Sequence, residues 1–593
     1  MASPGGEEVE RAAKVPGRGL AAGREVLAVA LGVVAYVVLV WMTRGELGMV
    51  WDEPPDIERQ EAIAEWLGAL IGPPADPAAA FGRERLERGW RFTRQAPDEH
   101  PPLYALLSLA TGTAAGGLVG PLRAHRLSTV LVLAVSAGAL VRLVRTRWGT
   151  LPALAALGAL LFNPRLFADA QLVTLDAVVG GFWFLAAVAF LRGCESGRAP
   201  WRFGVLAGLT VMSKATGALV FPALLLWTLV YRPKGAWRQF AWAVPIVPPV
   251  MLAINPGWWP GPVGSVTRWA AARLHYQQKI PVYYLGRVYD AKTTFLPWHN
   301  PAVLCATMVP PGLLALAAVG LGAAGWRTFA RDAPDPEAAP TPAFLPDRAV
   351  GGWAAIQFLT LMVLRMFPFM PGHDGLRQLI PAFFFFPVLA GFGARALIQA
   401  SARSRSRTRS RAVRALVLAC VASAGWETLR IHPYELEYYN VLIGGPRGAK
   451  AAGMETTYYW DVVNDEVLRW MNENLESGAT VLISPPPDVR TFARLQRYGK
   501  LRRDLEFLNL DPPRAGEAIA RIWGNRPCYM IFLMRQGLYL QARPENRRVI
   551  EQLAKAPARF ELAPARAGGV RLLAIFDQQQ LRAAFETRRT APP

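Results

Sequence analysis

Charge is scarce in this sequence. Only 18% of its 593 residues are Asp, Glu, Lys or Arg, and 52% are hydrophobic. A soluble chain carries nearer ~25% charge, so an ordinary water-exposed surface is excluded for most of the length. Cysteine is scarcer still. Cys194, Cys305 and Cys420 lie in or beside apolar runs, and only Cys528 lies in the polar C-terminal region. These exclude a disulfide framework and a CxxC metal site. Acids are outnumbered, 44 against 65 Lys and Arg, for a net charge of +21. Such an excess can mark a nucleic-acid binder. Here the bases sit largely between apolar runs, where the positive-inside rule puts them, and no nucleic-acid partner is expected.

What the chain has in quantity is apolar runs long enough to cross a bilayer. They lie near 26–43, 127–145, 150–163, 174–192, 202–213, 216–231, 237–254, 302–325, 350–367, 378–398 and 413–429. Residues 1–24 read as a disordered cytoplasmic N-terminus. The first run follows Arg24 without a convincing small-residue cleavage site and reads as a retained anchor. The run 103–120 is weakly apolar and rich in Gly and Thr, and reads as an interfacial or re-entrant segment.

Charge tests that count. With about eleven spans and a cytoplasmic N-terminus, the basic loops 142–149, 191–202, 231–238, 326–331 and 401–411 all fall inside. The long loop 44–126, the loops 255–301 and 366–377, and everything after about 430 then fall outside. Counting 103–120 as a span would reverse this. The expected fold class is a multi-span α-helical membrane protein of about eleven transmembrane helices (25–430, with outer loop 44–126). A small extracytoplasmic α/β domain (431–593) follows, in the plasma membrane of a bacterium.

The C-terminal region changes period. DVVNDEVLRWMNENL (461–475) has helical spacing, with Asp461 as its expected N-cap. Strand-like ATVLIS (479–484), DLEFLNL, CYMIFLM (528–534) and VRLLAIF (570–576) alternate with helical stretches near 489–499, 514–523 and 545–555. That alternation predicts a partly parallel sheet. It contains no Gly-rich phosphate loop.

Chemistry-bearing residues cluster on the predicted outer side. VWDEPPD (50–56) sets Asp52 beside Glu53 just after the first span. Adjacent side chains point different ways, so one acid acts and the other supports. DEHPPLYALL (98–107) places Glu99 and His100 before two prolines. Asp176 stands at the outer end of span four, where an ionisable group is costly. Lys214 lies at the outer turn between two short spans. FPFMPGHDGLRQLIPAFFFF (367–386) brings His373, Asp374 and Arg377 to the start of a late span. After the last span, IHPYELEYYN (431–440) is dense in aromatics. An interfacial aromatic belt accounts for its tyrosines, and an acceptor platform including Tyr438 is the alternative.

WDEP after span one, EHPPLY, LVTLDA, SKATGAL and GLRQLIPAF, in that order over roughly residues 24–430, resemble glycosyltransferase family 39. That family contains the protein O-mannosyltransferases and is similar to the bacterial aminoarabinose transferase of lipid A. The resemblance implies a GT-C membrane fold that moves sugar from a polyprenyl-phosphate donor to an external acceptor. The family's first-loop acid, its general base, matches Asp52, and its second acid matches Asp176. Where the aminoarabinose transferase pattern has a phosphate-contacting lysine, this chain has His100, which carries little charge.

Residue chemistry agrees with that implication. An acceptor hydroxyl needs a carboxylate in reach as it attacks, and a leaving lipid phosphate needs cations at the membrane surface. Lys214 and Arg377 sit at that depth, and Arg binds phosphate with two parallel bonds. A direct displacement inverts the anomeric centre with one base. Asp176 would position the base, the acceptor or a metal. Asp52, Glu53 and Asp176 would hold a divalent cation if they converge. The expected partners are a polyprenyl-phosphate sugar, membrane lipids and an unspecified protein, lipid or glycan acceptor. The other class of reading is a transporter or flippase of a lipid-linked sugar, with Asp176 and Lys214 lining a path. The sequence shows no internal repeat of the kind such carriers carry.

Overall fold

The computed structural model describes residues 17–44, 47–72, 80–93, 100–274, 280–290, 293–329, 345–368, 370, 372, 375–404, 406–485, 490–510, 515–540 and 544–590. Every expected apolar run among them is helical. Among the described residues, three helices are long and apolar enough by themselves to cross a membrane: Pro121–Trp148, Leu175–Ser196 and Arg407–Ile431. The pair Arg377–Phe384 and Phe386–Ala402, bent by 46°, makes a fourth if it is one span. Length and composition among the described residues thus support three or four of the expected spans. Several runs are cut short. The run 302–325 breaks into Asn300–Met308 and Pro311–Phe329 at Val309, ahead of Pro310 and Pro311, because the residue before a proline leaves the helical region. The run 103–120 forms the shorter apolar helix Leu103–Val119.

Close packing between helices relies on small residues. A Cβ on Gly320 would strike the Leu389 carbonyl oxygen, and one on Gly393 would strike that of Leu316. The helices Pro311–Phe329 and Phe386–Ala402 thus meet backbone to backbone, as helices do in lipid. Large apolar side chains remain exposed on outward faces, among them Leu118, Trp237, Val244, Leu416 and Trp426. A hydrocarbon surround would cover such faces without cost.

The C-terminal residues form a five-stranded sheet: β3 (Thr480–Ser484), β4 (Glu506–Asn509), β5 (Cys528–Leu533), β6 (Phe560–Leu562) and β7 (Leu573–Phe576). Its order is β4-β3-β5-β7-β6. β3 runs parallel to β4 and β5, whereas β7 is antiparallel to β5 and β6. Side chains alternate between two cores. Leu482, Met530, Phe532 and Phe576 face a core with Ile522, Val549 and Leu581. Val481, Ile483, Ile531 and Ile575 face one with Met49, Ile57, Tyr434, Tyr438 and Trp460. The core on the sheet's second face thus includes Met49 and Ile57, which flank Asp52 in sequence. A short hairpin, β1 (Val282–Tyr284) and β2 (Arg287–Tyr289), was not apparent in the sequence.

Two local expectations are corrected. The helix after Asp461 begins at Asp465, and Asn464 is its cap, accepting from the amides of Glu466 and Val467 at 3.1 and 3.3 Å. Asp461 is buried instead. The tyrosines of 431–440 form no interfacial belt: Tyr434, Tyr438 and Tyr439 are buried. Tyr438 donates its hydroxyl to Glu427.

Candidate functional site

Asp52 stands immediately before the helix Glu53–Ile71. The loop ahead of it is laid along residues 459–463. The Gly48 amide donates to the Asp461 carbonyl at 2.7 Å, and that of Trp51 to the Tyr459 carbonyl at 3.1 Å. Glycine is needed at 48: a Cβ there would lie 2.5 Å from the Val463 oxygen and 2.6 Å from that of Asp461.

Asp176 lies in the first turn of the helix Leu175–Ser196, where the dipole and free amides favour an anion. Lys214 ends the helix Trp201–Ser213, in extended conformation. Arg377 starts the 3-10 helix Arg377–Phe384. These three connections and the Asp52 loop meet. Lys214 Nζ donates to Asp176 Oδ1 at 2.6 Å, and Arg377 Nε donates to Asp176 Oδ2 at 3.2 Å. Arg377 Nη2 donates to Asp52 Oδ2. The Tyr459 hydroxyl also donates to Asp52 Oδ2, at 3.0 Å. The ring of Tyr459 lies 4.4 Å from the Arg377 guanidinium carbon, a cation–π distance. Two acids and two cations thus form one neutral cluster. Asp52 is its open acid, with 23% of its side chain exposed against 2% for Asp176.

Glu53 does not share that site. Its carboxylate is fully buried and accepts from Arg126 Nε and Nη2, each at 2.7 Å. It also accepts from the amides of Val50 and Val173 at 3.0 and 3.1 Å. Arg126 also donates to the carbonyls of Leu47 and Gly48, both at 2.8 Å. As a catalytic candidate Glu53 is corrected: every lone pair is engaged, and it fixes the loop that presents its neighbour.

The three acids therefore do not converge on a cation. Arg377 stands between Asp52 and Asp176, and Glu53 is held by Arg126. Among the described residues, no three His, Cys, Asp or Glu side chains are placed to hold a metal ion.

His100 borders a small cavity lined by Arg59, Trp90, Phe92 and Tyr104. Burial pushes its pKa well below the usual value, and the charges of Arg59, Lys214 and Arg273 add to that. The ring is neutral near pH 7 and offers one N–H without charge. Arg59 donates to Asp56 at 2.5 Å and to the Tyr104 hydroxyl at 2.7 Å. Glu99, His373 and Asp374 lie outside the described residues. Tyr438 is tied to Glu427 instead.

Sequence reasoning missed Arg59, Arg126, Arg273 and Tyr459. Only Tyr459 carried a signal, as one of the aromatic residues in the unassigned stretch METTYYW (454–460).

Residues 99–258 match the family model described as dolichyl-phosphate-mannose-protein mannosyltransferase. No curated protein matches the chain. Among solved structures, the chain is similar to ArnT from Cupriavidus metallidurans in the apo state. That likeness has 14% identity and a TM-score of 0.49, over 92% of this chain and 97% of that one. The same protein bound to undecaprenyl phosphate gives 13% identity and a TM-score of 0.48, over the same shares. The family model covers three of the ordered motifs, EHPPLY, LVTLDA and SKATGAL, while WDEP and GLRQLIPAF lie outside it, and the chain resembles the membrane glycosyltransferases of family 39.

Proposed function

We propose that this chain is an integral-membrane glycosyltransferase. It moves a sugar from a polyprenyl-phosphate donor to a hydroxyl or phosphate of a protein, lipid or polysaccharide on the outer membrane face, inverting the anomeric centre. The observation that carries the reading is the cluster itself. One open carboxylate, Asp52, is joined through Arg377 to the buried Asp176 and thence to Lys214. The family model supplies the donor class, since its members are named for a lipid-phosphate sugar.

Each residue has a task in that reaction. Before donor binds, Arg377 is paired with Asp52 and holds its charge. An arriving phosphate recruits Arg377 and Lys214, both already fixed by Asp176. Asp52 is then released to accept the acceptor's proton as its oxygen attacks the anomeric carbon. The bond from that carbon to the phosphate oxygen breaks. The electron pair leaves with the polyprenyl phosphate, whose charge the two cations receive. His100 contributes a neutral hydrogen bond, and Arg59 and Arg273 add positive potential around it.

The test is Asp52→Asn, made in membranes that lack other transferases, with lipid-linked and transferred sugar measured together. Loss of a general base lowers transfer by about 10²–10⁴-fold, while the protein still inserts and melts normally. Normal transfer by Asp52→Asn would remove the base assignment.

A further inference from the structure

We infer that Tyr459, from the C-terminal part of the chain, is a positioning residue of the reaction centre, which is incomplete without the segment 454–463. The inference rests on the transferase reading and extends it to a region for which that reading names no role. Tyr459 touches both halves of the cluster. Its hydroxyl donates to Asp52 Oδ2 at 3.0 Å, and its ring supports the Arg377 guanidinium at 4.4 Å. Its own carbonyl accepts the Trp51 amide, one residue before Asp52. The residue is itself fixed. It is 3% exposed, and Arg535 Nη1 donates to the neighbouring Tyr458 carbonyl at 2.7 Å. On the other side, Asp461 accepts the Gly48 amide at 2.7 Å.

The two contacts have separable consequences. A hydroxyl that donates to a carboxylate favours its charged form, so it sets the pH at which Asp52 becomes a usable base. It also fixes which oxygen faces the acceptor. An aromatic face under a guanidinium fixes the plane in which its N–H groups point. That plane decides whether Arg377 meets a phosphate with two bonds or one. The hydroxyl therefore acts on the chemical step, and the ring acts on donor binding.

The experiment measures binding with the full chain in lipid nanodiscs, with farnesyl phosphate as the probe. Transfer is followed across pH in cell membranes that carry the same variant, keep their own lipid-linked sugars and lack other transferases. Tyr459→Phe keeps the ring. It is expected to lower the transfer rate about tenfold and to move the acid limb upward by about half a unit to one unit. Its farnesyl phosphate affinity stays within about twofold. Tyr459→Leu loses both contacts and is expected also to weaken that affinity about fivefold. Tyr459→Phe with a normal rate and an unmoved acid limb would overturn the inference even if Asp52→Asn is inactive. Normal transfer by Asp52→Asn would overturn the base assignment instead, so the two failures are distinct. Should Tyr459→Leu fail to fold, Tyr459→Phe decides alone.

Discussion

Two neighbouring carboxylates have opposite fates here, and Glu53→Gln separates them. In the wild type Glu53 accepts four buried hydrogen bonds, two from Arg126 at 2.7 Å and one each from Val50 and Val173. Glutamine keeps one acceptor oxygen. Its amide nitrogen must face donors that the lost oxygen satisfied. Each buried donor left unmet costs about 1–3 kcal/mol, and breaking a buried ion pair costs about 3–5 kcal/mol. These are two views of one event, so about 3–5 kcal/mol is expected in total. That is a large part of the ~5–15 kcal/mol that holds a folded domain. The assay heats detergent-extracted protein in steps and measures the fraction that stays monodisperse. Glu53→Gln should lose its fold at clearly lower temperature, and Asp52→Asn should follow the wild type. Sugar transfer by whatever Glu53→Gln remains folded should be retained. A Glu53→Gln protein that melts normally and transfers no sugar would refute the reasoning and exchange the two roles.

Two further predictions concern the join between the Asp52 loop and the C-terminal residues. Gly48→Ala puts a methyl group against the carbonyl oxygens of Val463 and Asp461; an overpacked contact costs about 1–3 kcal/mol. It should lower both the melting temperature and transfer, whereas Gly23→Ala, where a Cβ meets nothing, should change neither. Glu437 and Asp461 form a buried carboxyl pair, and burial raises both pKa values, that of Asp461 to about 7. Because the folded pKa lies above the unfolded one, the pair's contribution is fully present below the unfolded value of about 4 and is lost as pH rises from there through about 7. Melting temperature should fall between about pH 4 and pH 7, and Asp461→Asn should flatten that fall.

Much of the site was legible because its members sit in ordered, unusual surroundings. Asp176 and Lys214 stand out as charges at the ends of apolar runs, and Asp52 and Arg377 lie next to such runs. The structure brings all four together across long chain separations. What stayed hidden was pairing. Nothing near Glu53 in sequence announces Arg126, and nothing near Asp52 announces Tyr459, because partners from distant segments leave no local pattern. The tyrosines of 431–440 were misplaced for a related reason: an aromatic next to a span reads alike whether it lines a membrane surface or fills a core. Proline also shapes the spans. The break ahead of Pro310 turns one apolar run into helices of 9 and 19 residues, and length alone cannot then say what crosses.

The backbone join between residues 48–51 and 459–463 also has a consequence for biosynthesis. The loop that carries the proposed base is made some four hundred residues before the segment that its amides meet. Until that later segment has been made and folded back, Gly48 and Trp51 lack the carbonyls their amides meet in the finished protein. Asp52 likewise lacks the Tyr459 hydroxyl. The proposed reaction centre thus closes late, and a chain lacking the later segment would be without the contacts that complete it.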